Sequence, residues 1–475
     1  MIPITEYKGR QVAVFGLGRT GLSAAKALMV GGADVHAWDD NEATRKAAEA
    51  EGVTLSDINK RDWQTFEALI LSPGVPLRHP KPHRIVRMAQ SVSVPIVGDM
   101  ELFARAVASL PERSRPRIVG ITGTNGKSTT TALVGHILKR AGQDVRIGGN
   151  IGKGVLDLDP LHANATFVLE LSSYQLDLVQ SLHCDVAVFL NLTPNHLDRH
   201  GTLESYLAAK RRIFQNQKAG DTAVIGIDDV HSQSLAMGLS RGPAAVSQIS
   251  ADFALGRGVS AVDGLLFDSQ KGKAERIGDL RTAPALPGKH NHQNAAAAYA
   301  ACRALGIEPR LIMAGIQSFT GLAHRQEAVT TVNGVRFIND SKATNPLAAE
   351  QALKAYERIH WIAGGQTHAE PIDRLVPHLD RVACAYLIGE SAPALAKALK
   401  GKVKTQLCKT LNVAFGKAVT GAEAESAAEN DPGAVVLLSP AAPSFDQFKD
   451  FEARGEAFRQ LAINHAQRAA LRESA

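Results

Sequence analysis

The stretch Thr122-Gly123-Thr124-Asn125-Gly126-Lys127-Ser128-Thr129 decides how the rest of this chain is arranged. It follows the apolar run 117–121, which predicts a buried strand, and it precedes residues 130–138, whose pattern predicts a helix. A glycine-rich turn between a strand and a helix directs backbone N–H groups and the positive end of the helix dipole at an anion. Lys127 would reach the outer phosphates and the Ser128 hydroxyl would hold Mg²⁺, so the stretch predicts a nucleoside triphosphate site.

The loop departs from the common phosphate-loop pattern at one position. That pattern has glycine where this chain has Ile121, and the glycines here are Gly120, Gly123 and Gly126. The Gly-Lys-Ser core, together with its strand and helix context, still favours a phosphate site. The alternative is a glycine-rich turn whose lysine is only solvated.

Length and composition indicate a large protein with packed domains. At about 150 residues per domain, a chain of 475 residues predicts three domains, and its hydrophobic content of 45% suits globular cores. The net charge of +6 is spread along the chain without a long Lys/Arg run, which argues against a nucleic-acid surface. A mildly positive net charge is compatible with an anionic small-molecule substrate.

The cysteines and the N-terminus carry little chemistry. The four cysteines are far apart and form no CxxC pair, so neither a zinc site nor a disulfide framework is predicted. The first residues lack a charged region followed by an apolar core, and no apolar run approaches the length of a membrane span. A cytoplasmic protein that does not bind membranes is therefore expected.

The N-terminal part carries a dinucleotide-type fingerprint. A predicted strand at 11–15 is followed by Gly16-Leu17-Gly18-Arg19-Thr20-Gly21, a helix to about residue 31, and a strand at 34–38 that ends in Asp39-Asp40. Taken alone, this pattern would indicate an NAD dehydrogenase. Alternation of strands and helices predicts a parallel sheet. Asp39 would bind a ligand or only cap the turn at the end of the strand.

Two polar residues of the central part follow predicted strands. Glu170 ends one strand, where a carboxylate can take Mg²⁺ beside phosphates, or can simply cap a turn. His196 follows a proline turn after another strand and would serve a metal or a substrate. Residues 228–285 give a weak pattern of short β pieces, to which we assign no chemistry.

The phosphate-loop string resembles that of the Mur ligase family and its folylpolyglutamate synthetase relatives. The phrase Asp340-Ser341-Lys342-Ala343-Thr344-Asn345-Pro346 resembles the Mur ligases in general. Ser72-Pro73-Gly74, the phrase at 98–103 and the stretch 438–451 resemble the D-glutamate-adding branch of that family. The resemblance covers essentially the whole chain in family order. It implies an α/β protein with an N-terminal Rossmann-like UDP-binding domain (1–112), a central P-loop-type ATPase domain (113–320) and a C-terminal Rossmann-like amino-acid-binding domain (321–475).

The resemblance also assigns residue roles. The UDP part of the substrate would contact Arg19, Thr20, Asp39, Ser72 and Asn150. ATP would contact the loop residues 123–129 together with Asn291, Asn294, Arg325, Asp340 and Lys342. The amino-acid substrate would contact Thr344, His368, Ser444 and Phe451. The metal Mg²⁺ would be held by Ser128, Glu170, His196 and a carbamylated Lys210, which the residues alone would predict to be a solvated helix residue. The residues implied to act in catalysis are Lys127, Lys210, His196 and Arg325, and His196 is a candidate base for the amine.

Three positions depart from the family pattern. His368 stands where relatives carry a lysine that grips a glutamate carboxylate, which predicts weaker amino-acid binding or a substitute cation nearby. Asn195 replaces an aspartate and removes a negative charge near the metal. Ala323 replaces a proline in the phrase before Arg325, which predicts a looser hinge.

The activity that the resemblance implies is ATP-dependent ligation of D-glutamate to UDP-N-acetylmuramoyl-L-alanine, through an acyl phosphate, in cell-wall precursor synthesis. The expected partners are small molecules, and a monomer is expected. A sister ligase that uses another amino acid such as L-glutamate stays open because of His368. A catalytically weak paralogue that senses nucleotide and UDP-sugar is a second alternative. The sensor is disfavoured because the chain retains the residues implied to act on ATP and the metal, which are Lys127, Glu170, Lys210, Arg325 and Lys342.

Overall fold

A computed structural model describes residues 1–367, 371–429 and 433–473 of the chain. It divides into two compact units, one formed by Met1–Ala283 with Lys289–Ser318 and the other by Pro284–Gly288 with Phe319–Ala475. Within the described residues the strands form three sheets, two in the first unit and one in the second. The predicted α/β class with three sheet-containing parts is confirmed.

The N-terminal sheet is parallel, as the alternation of elements predicts. Its strands are β1 (Gln11–Phe15), β2 (Asp34–Trp38), β3 (Ala68–Leu71) and β4 (Ile96–Val97), in the order β2-β1-β3-β4. Its helices are α1 (Arg19–Val30), α2 (Glu42–Ala50), α3 (Arg84–Ser91) and α4 (Asp99–Ala108). The fingerprint glycines have a steric reason, because a Cβ on Gly21 would lie 1.8 Å from the Gly16 carbonyl oxygen.

The central sheet is larger than the sequence predicts. Its strands are β5 (Arg117–Thr122), β6 (Asp144–Gly149), β7 (Ala165–Glu170), β8 (Val186–Phe189), β9 (Thr222–Gly226), β10 (Ala245–Ser250), β11 (Val259–Val262), β12 (Leu265–Asp268) and β13 (Glu275–Asp279). Its helices are α5 (Lys127–Arg140), α6 (Ser173–Leu176), α7 (Leu197–His200), α8 (Leu203–Arg211), α9 (Val230–Leu239), α10 (Lys289–Ala304) and α11 (Pro309–Gln317). The weak region 228–285 supplies α9 and the four strands β10 to β13.

The order of the central strands places the phosphate loop. The sheet runs β13-β12-β11-β10-β9-β8-β5-β7-β6, so β5 lies between β7 and β8. Ligands of open α/β sheets bind beyond the carboxyl ends of the strands at such a switch in strand order. The loop after β5, Glu170 at the end of β7 and the turn after β8 all lie at that edge.

The N-terminal and central sheets share a hydrophobic core within the first unit. Helix α4 is part of that core, and the rings of Phe103 and Phe167 are 5.3 Å apart. Polar contacts reinforce this junction: buried Glu101 accepts hydrogen bonds from the N–H groups of Gln180 and Ser181 at 2.7 and 2.9 Å. The nucleotide fingerprint and the phosphate loop are therefore held in one compact body.

The second unit contains a six-stranded sheet among its described residues. Its strands are β14 (Glu327–Val332), β15 (Val335–Asn339), β16 (Ile359–Gly364), β17 (Val382–Ile388), β18 (Thr405–Lys409) and β19 (Val435–Leu438), in the order β14-β15-β19-β16-β17-β18. Only the pairing of β14 with β15 is antiparallel. Its helices are α12 (Pro346–Ala355), α13 (Ala392–Leu399), α14 (Leu411–Glu429) and α15 (Phe451–Glu473).

Two further observations concern the whole chain. The four cysteines are buried and unpaired. Across the described ranges, no helix combines the length and the apolar character that crossing a bilayer requires. We retain three domains, 1–112, 113–320 and 321–475, as a proposal, since the division into two compact units follows contacts and does not test these boundaries.

Candidate active site

The phosphate loop is built on two glycines in unusual backbone conformations. Gly123 has φ +148° and Gly126 has φ +82°, and a Cβ on Gly126 would lie 2.1 Å from Asn294 Oδ1. The loop is fixed by Asn191, whose carbonyl accepts from Thr124 N–H and whose Oδ1 accepts from Asn125 N–H, both at 2.9 Å. Helix α5 begins at Lys127, earlier than the predicted Thr130. The helix N-terminus therefore lies directly at the loop.

We expect Gly126→Ala to weaken binding of a nonhydrolysable ATP analogue about tenfold, because the side chain would be strained and would displace Asn294. Calorimetric titration measures this. Gly142→Ala is the matched control, since Gly142 has φ +76° after the far end of α5 and its Cβ would meet nothing within 4 Å. Equal losses of affinity in the two variants would contradict a steric role for Gly126 in the loop.

Two lysines meet beneath the loop. Lys127 Nζ donates to the carbonyls of Gly123 and Thr124 at 3.1 and 2.8 Å, and Lys210 Nζ donates to Gly123 O at 2.7 Å. Lys210 is 1% exposed, so its interpretation as a solvated residue was wrong. Burial, and then repulsion from Lys127, lower the pKa of Lys210 well below its usual value, whereas Glu170 acts in the opposite direction. The neutral amine, which is the form that reacts with CO₂, is therefore favoured.

Glu170 presents a buried oxygen to the same region. Its Oε1 accepts from Asn150 Nδ2 at 2.8 Å, while its buried Oε2 accepts no hydrogen bond from any described residue. An unpaired buried carboxylate oxygen beside a phosphate loop fits a cation. No cluster of three or more His, Cys, Asp or Glu side chains suited to a metal occurs in the described ranges. The predicted set contains only two such residues, Glu170 and His196, so the magnesium site stays a prediction.

His196 lies in a left-handed conformation at the start of α7, with φ 53°. Its Nδ1 is 3.0 Å from the Tyr174 hydroxyl, and its ring contacts those of Tyr174 and Tyr206. Burial, followed by the charges of Lys127 and Lys210, lowers its pKa. A neutral imidazole can act as a ligand or a base.

The predicted asparagines of α10 lie behind the phosphate loop. Asn294 Oδ1 accepts from Thr130 Oγ1 at 3.3 Å, and its Nδ2 donates to Asn291 Oδ1 at 3.1 Å. Both residues are buried. The structure therefore places them against the first turn of α5, and direct contact with ATP remains a prediction.

The predicted UDP contacts fall into two groups. Arg19 donates to the carbonyls of Gly152 and Asn150 at 3.0 and 3.3 Å, which joins the first fingerprint to the loop after β6. The hydroxyls of Thr20 and Ser72 are 3.5 Å apart.

Asp39 lies at the end of β2 in this region. The Asp39 carboxylate accepts from Leu17 N–H at 2.7 Å and from Asn41 N–H at 2.8 Å. It therefore caps the turn at the end of the strand, which was the alternative to ligand binding. These contacts leave a ligand role untested.

In the second unit, the loop after β15 brings several predicted residues together. Asp340 accepts from Ser439 Oγ at 2.7 Å and from Gln326 N–H at 3.1 Å, and burial raises its pKa to about 7. Lys342 Nζ lies 5.4 Å from the centre of the Phe451 ring. Thr344 and Ser444 are positioned on the loops that follow β15 and β19, and Ser444 is buried. Arg325 directly precedes Gln326, and His368 lies outside the described residues.

Sequence reasoning missed four supporting residues. These residues are Asn191, Tyr174, Arg199 and Arg454. Asn191 had a detectable signal, because it follows β8 at the ligand edge of the sheet. The two arginines had none, since each gains its importance from loops distant in sequence.

The fold and this edge of the central sheet define an α/β nucleotide-binding protein with a phosphate loop. The sequence matches three described domains: "Mur ligase MurD-like, N-terminal domain" over residues 10–98, "Mur ligase middle domain" over 121–302 and "Mur ligase, glutamate ligase domain" over 324–442. It is 55% identical over 460 residues to the UDP-N-acetylmuramoylalanine–D-glutamate ligase of Phenylobacterium zucineum, covering 97% of each chain. It is 53% identical over 465 residues to the enzyme of the same name from Caulobacter sp., covering 98% of each. The chain belongs to the Mur ligase family.

Solved structures agree on the fold. The UDP-N-acetylmuramate–alanine ligase of Thermotoga maritima superposes with a TM-score of 0.56 at 18% identity, covering 96% of this chain and 99% of that one. The MurF ligase of the same organism, in complex with ADP, gives a TM-score of 0.56 at 17% identity and covers 96% and 99%. At these identities the likeness supports the architecture alone.

Proposed function

We propose that the protein is an ATP-dependent ligase that joins D-glutamate to UDP-N-acetylmuramoyl-L-alanine in peptidoglycan precursor synthesis. The observation that carries this proposal is the match, over nearly the full length, to relatives named as D-glutamate ligases at 53–55% identity. The phosphate loop, with Lys127 at its helix start, supports ATP as the source of activation.

The chemistry requires ATP because a carboxylate is a poor electrophile at neutral pH. The alanyl carboxylate attacks the γ-phosphorus of ATP, the bond to ADP breaks, and an acyl phosphate forms. The glutamate amine then attacks the acyl carbon, phosphate leaves, and the amine nitrogen loses a proton. Lys127 and the N–H groups at the start of α5 would stabilise the charge on the transferred group. Two roles are predicted for His196, magnesium ligand and base for the amine, and one ring nitrogen cannot serve both, since Nδ1 already faces the Tyr174 hydroxyl. We propose the ligand role and name no base for the amine proton.

We propose Ser128, Glu170, His196 and carbamylated Lys210 as the magnesium ligands. The unpaired buried Oε2 of Glu170 fits that ion. When bound, Mg²⁺ neutralises phosphate charge. A free Lys210 amine would not serve, but the neutral amine can react with CO₂ to give a carbamate and one released proton. The reaction converts an uncharged nitrogen into an anionic oxygen ligand.

For the remaining ligands we propose the roles assigned by resemblance. Arg19, Thr20, Asp39, Ser72 and Asn150 would hold the UDP part. Asn291, Asn294, Arg325, Asp340 and Lys342 would contact ATP. Thr344, His368, Ser444 and Phe451 would hold D-glutamate.

His368→Lys is expected to lower the KM for D-glutamate about tenfold or more. A lysine would restore a charged hydrogen bond, worth roughly 1.5–3 kcal/mol, to one glutamate carboxylate. Steady-state kinetics with D-glutamate as the varied substrate checks this, and the KM for ATP in the same variant serves as the internal control. An unchanged D-glutamate KM would show that another cation already holds that carboxylate.

Phosphate release from ATP in the presence of Mg²⁺ and UDP-N-acetylmuramoyl-L-alanine tests the function. D-glutamate, L-glutamate and other amino acids are offered separately. Release with D-glutamate alone is expected. Release with a different amino acid only would replace the proposal by a sister ligase. The absence of release with every amino acid would refute a ligase and leave the sensor alternative.

The finer expectations on state and place also stand as proposals. We propose that the enzyme works as a monomer in the cytoplasm, on small-molecule substrates, without nucleic acid or membrane partners. The mild net charge of +6, spread along the chain, supports the absence of a nucleic-acid surface. Light scattering during gel filtration of the full chain measures the oligomeric state.

A further inference from the structure

A buried arginine joins the predicted UDP loop to the His196 turn. Arg199 lies in the single turn of α7 and is 8% exposed. Its NH2 donates to the Val75 carbonyl at 2.8 Å, and its guanidinium carbon lies 5.3 Å from the centre of the Tyr174 ring. The Tyr174 hydroxyl is in turn 3.0 Å from His196 Nδ1. The Arg199 side chain therefore contacts both the predicted UDP loop, at Val75, and the Tyr174 ring beside His196.

The Val75 end of this path belongs to the predicted UDP site. Val75 N–H donates to the Ser72 carbonyl at 3.0 Å, which closes a turn, and a Cβ on Gly16 would lie 3.1 Å from Val75 Cγ2. A shift of Val75 would thus move the loop that carries Ser72 and would loosen its packing on the fingerprint glycine. At the His196 end of the path, Arg199 is held to the turn through its backbone, because its N–H donates to the His196 carbonyl at 3.1 Å.

A contribution to folding stability alone does not explain why an arginine is buried at position 199. Arg199 Nε is buried and finds no hydrogen-bond acceptor among the described residues, and none of their carboxylates lies within ion-pairing distance. The nearest acidic charges, Asp177 and Asp198, act only at longer range. A buried, incompletely paired guanidinium is costly.

We propose that Arg199 is a positioning residue that couples occupancy of the UDP loop to the placement of His196 at the phosphate-loop site. This inference rests on the proposed function. When the UDP-sugar orders Ser72 and Val75, Arg199 holds Tyr174, and through it the His196 ring, in the arrangement that phosphoryl transfer uses. Binding of the UDP-sugar and binding of ATP should therefore favour each other.

The first test compares Arg199→Met, Arg199→Lys and the control Arg78→Met by steady-state kinetics. Arg78 lies at the same junction but is exposed, with its guanidinium 3.7 Å from Asp177. We expect Arg199→Met to raise the KM for the UDP-sugar and to lower kcat, each about tenfold. Arg199→Lys keeps a donor for the Val75 carbonyl, so its KM for the UDP-sugar and its kcat should lie between those of Arg199→Met and wild type. The control Arg78→Met should have the wild-type KM and kcat. A lower melting temperature with unchanged kcat and KM would reduce Arg199 to a structural role and overturn the proposal.

The second test measures coupling without turnover. Calorimetry gives the affinity for UDP-N-acetylmuramoyl-L-alanine with and without a nonhydrolysable ATP analogue. We expect the analogue to tighten binding to wild type by about fivefold or more, and this factor to fall towards one in Arg199→Met. A wild-type protein without coupling, or a variant that keeps the factor, would refute the proposal. Failure of wild type to release phosphate would refute the proposed function instead, and the binding arm would still be decisive here.

Discussion

Lys210→Met is expected to remove most of the ligase activity and, at neutral pH, to stabilise the fold. The activity loss should reach about 10²–10³-fold in kcat, which is the size of effect that removal of one preorganised group stabilising transition-state charge has in other enzymes. The stability gain follows from burial, because the folded protein holds Lys210 in an environment that disfavours its charged form. Its hydrogen-bond partners are not left empty: Gly123 O also accepts from Lys127, and Thr122 Oγ1 donates to Leu171 O.

The stability effect has a defined dependence on pH. The pKa of Lys210 is lower in the folded chain than in the unfolded chain, where it is about 10.4. Between these two values the unfolded chain binds a proton that the folded chain does not, so wild-type stability rises with pH over that window. The advantage of the methionine variant should therefore be larger at about pH 7 than at about pH 9.5 and vanish above the unfolded pKa.

Urea unfolding in CO₂-free buffer at the two pH values measures this difference. Lys139→Met is the control, because Lys139 lies exposed near the end of α5 and its replacement should give no such slope. Addition of isotope-labelled bicarbonate to wild type should give a carbamate carbon signal by NMR that is missing from Lys210→Met. If Lys210→Met were less stable than wild type at neutral pH, or if its free energy of unfolding differed from wild type by the same amount at both pH values, Lys210 would not be a buried neutral amine.

The elements that could be predicted from the sequence are those with strong local signals. The strands β1 and β2 have the predicted bounds, since each is a short run with apolar residues that is ended by turn residues. The phosphate loop was recognisable because its glycines meet a local conformational demand, which the left-handed backbone of Gly126, with φ +82°, makes explicit. Such signals need no knowledge of distant residues.

The features that could not be predicted depend on contacts between distant residues. Strands β11 to β13 are short and β13 is largely uncovered, so their apolar pattern is faint and they are defined by pairing with neighbours. Lys210 has the sequence surroundings of a solvated helix residue, and it becomes buried because α8 packs beneath the phosphate loop. Composition and periodicity carry no trace of either arrangement.

Arg454 is the clearest example, and its replacement should have the largest effect on the second unit. It lies in the first turns of α15, is 1% exposed, and burial lowers its pKa to about 10, so it stays charged at neutral pH. Its N–H groups reach the loops that follow β15, β16 and β19. The acceptors are Ser341 Oγ, Ser341 O and Ala442 O at 3.0 Å, Pro443 O at 3.3 Å and Gly364 O at 3.4 Å.

Arg454→Met should destabilise the second unit by about 4 kcal/mol or more. Methionine fills much of the volume but removes the donor from the buried carbonyls of Ser341, Ala442 and Gly364, and each such loss costs roughly 1–3 kcal/mol. The Pro443 carbonyl keeps a donor, the N–H of Gln366 at 2.9 Å. Urea unfolding followed by the fluorescence of Trp361, in a background in which Trp38 and Trp63 of the first unit are replaced by phenylalanine, measures the change. Arg468→Met, an exposed substitution on the same helix, should stay within about 0.5 kcal/mol of wild type.

The variant Arg454→Lys distinguishes a role of Arg454 in positioning the amino-acid site from a role in stabilising the second unit. Lysine keeps the charge but has three donors on one nitrogen, so it cannot span three loops as the planar guanidinium does. The loops it would release carry the predicted glutamate contacts Ser444 and, through the Ser341 hydroxyl bonded to Phe451 O at 2.8 Å, Phe451. We expect a folded enzyme whose KM for D-glutamate rises about tenfold. Its KM for the UDP-sugar should stay near wild type, because the residues that we propose for UDP binding lie in the first unit. A uniform fall in activity with both KM values unchanged would show that Arg454 stabilises the unit without shaping the amino-acid site.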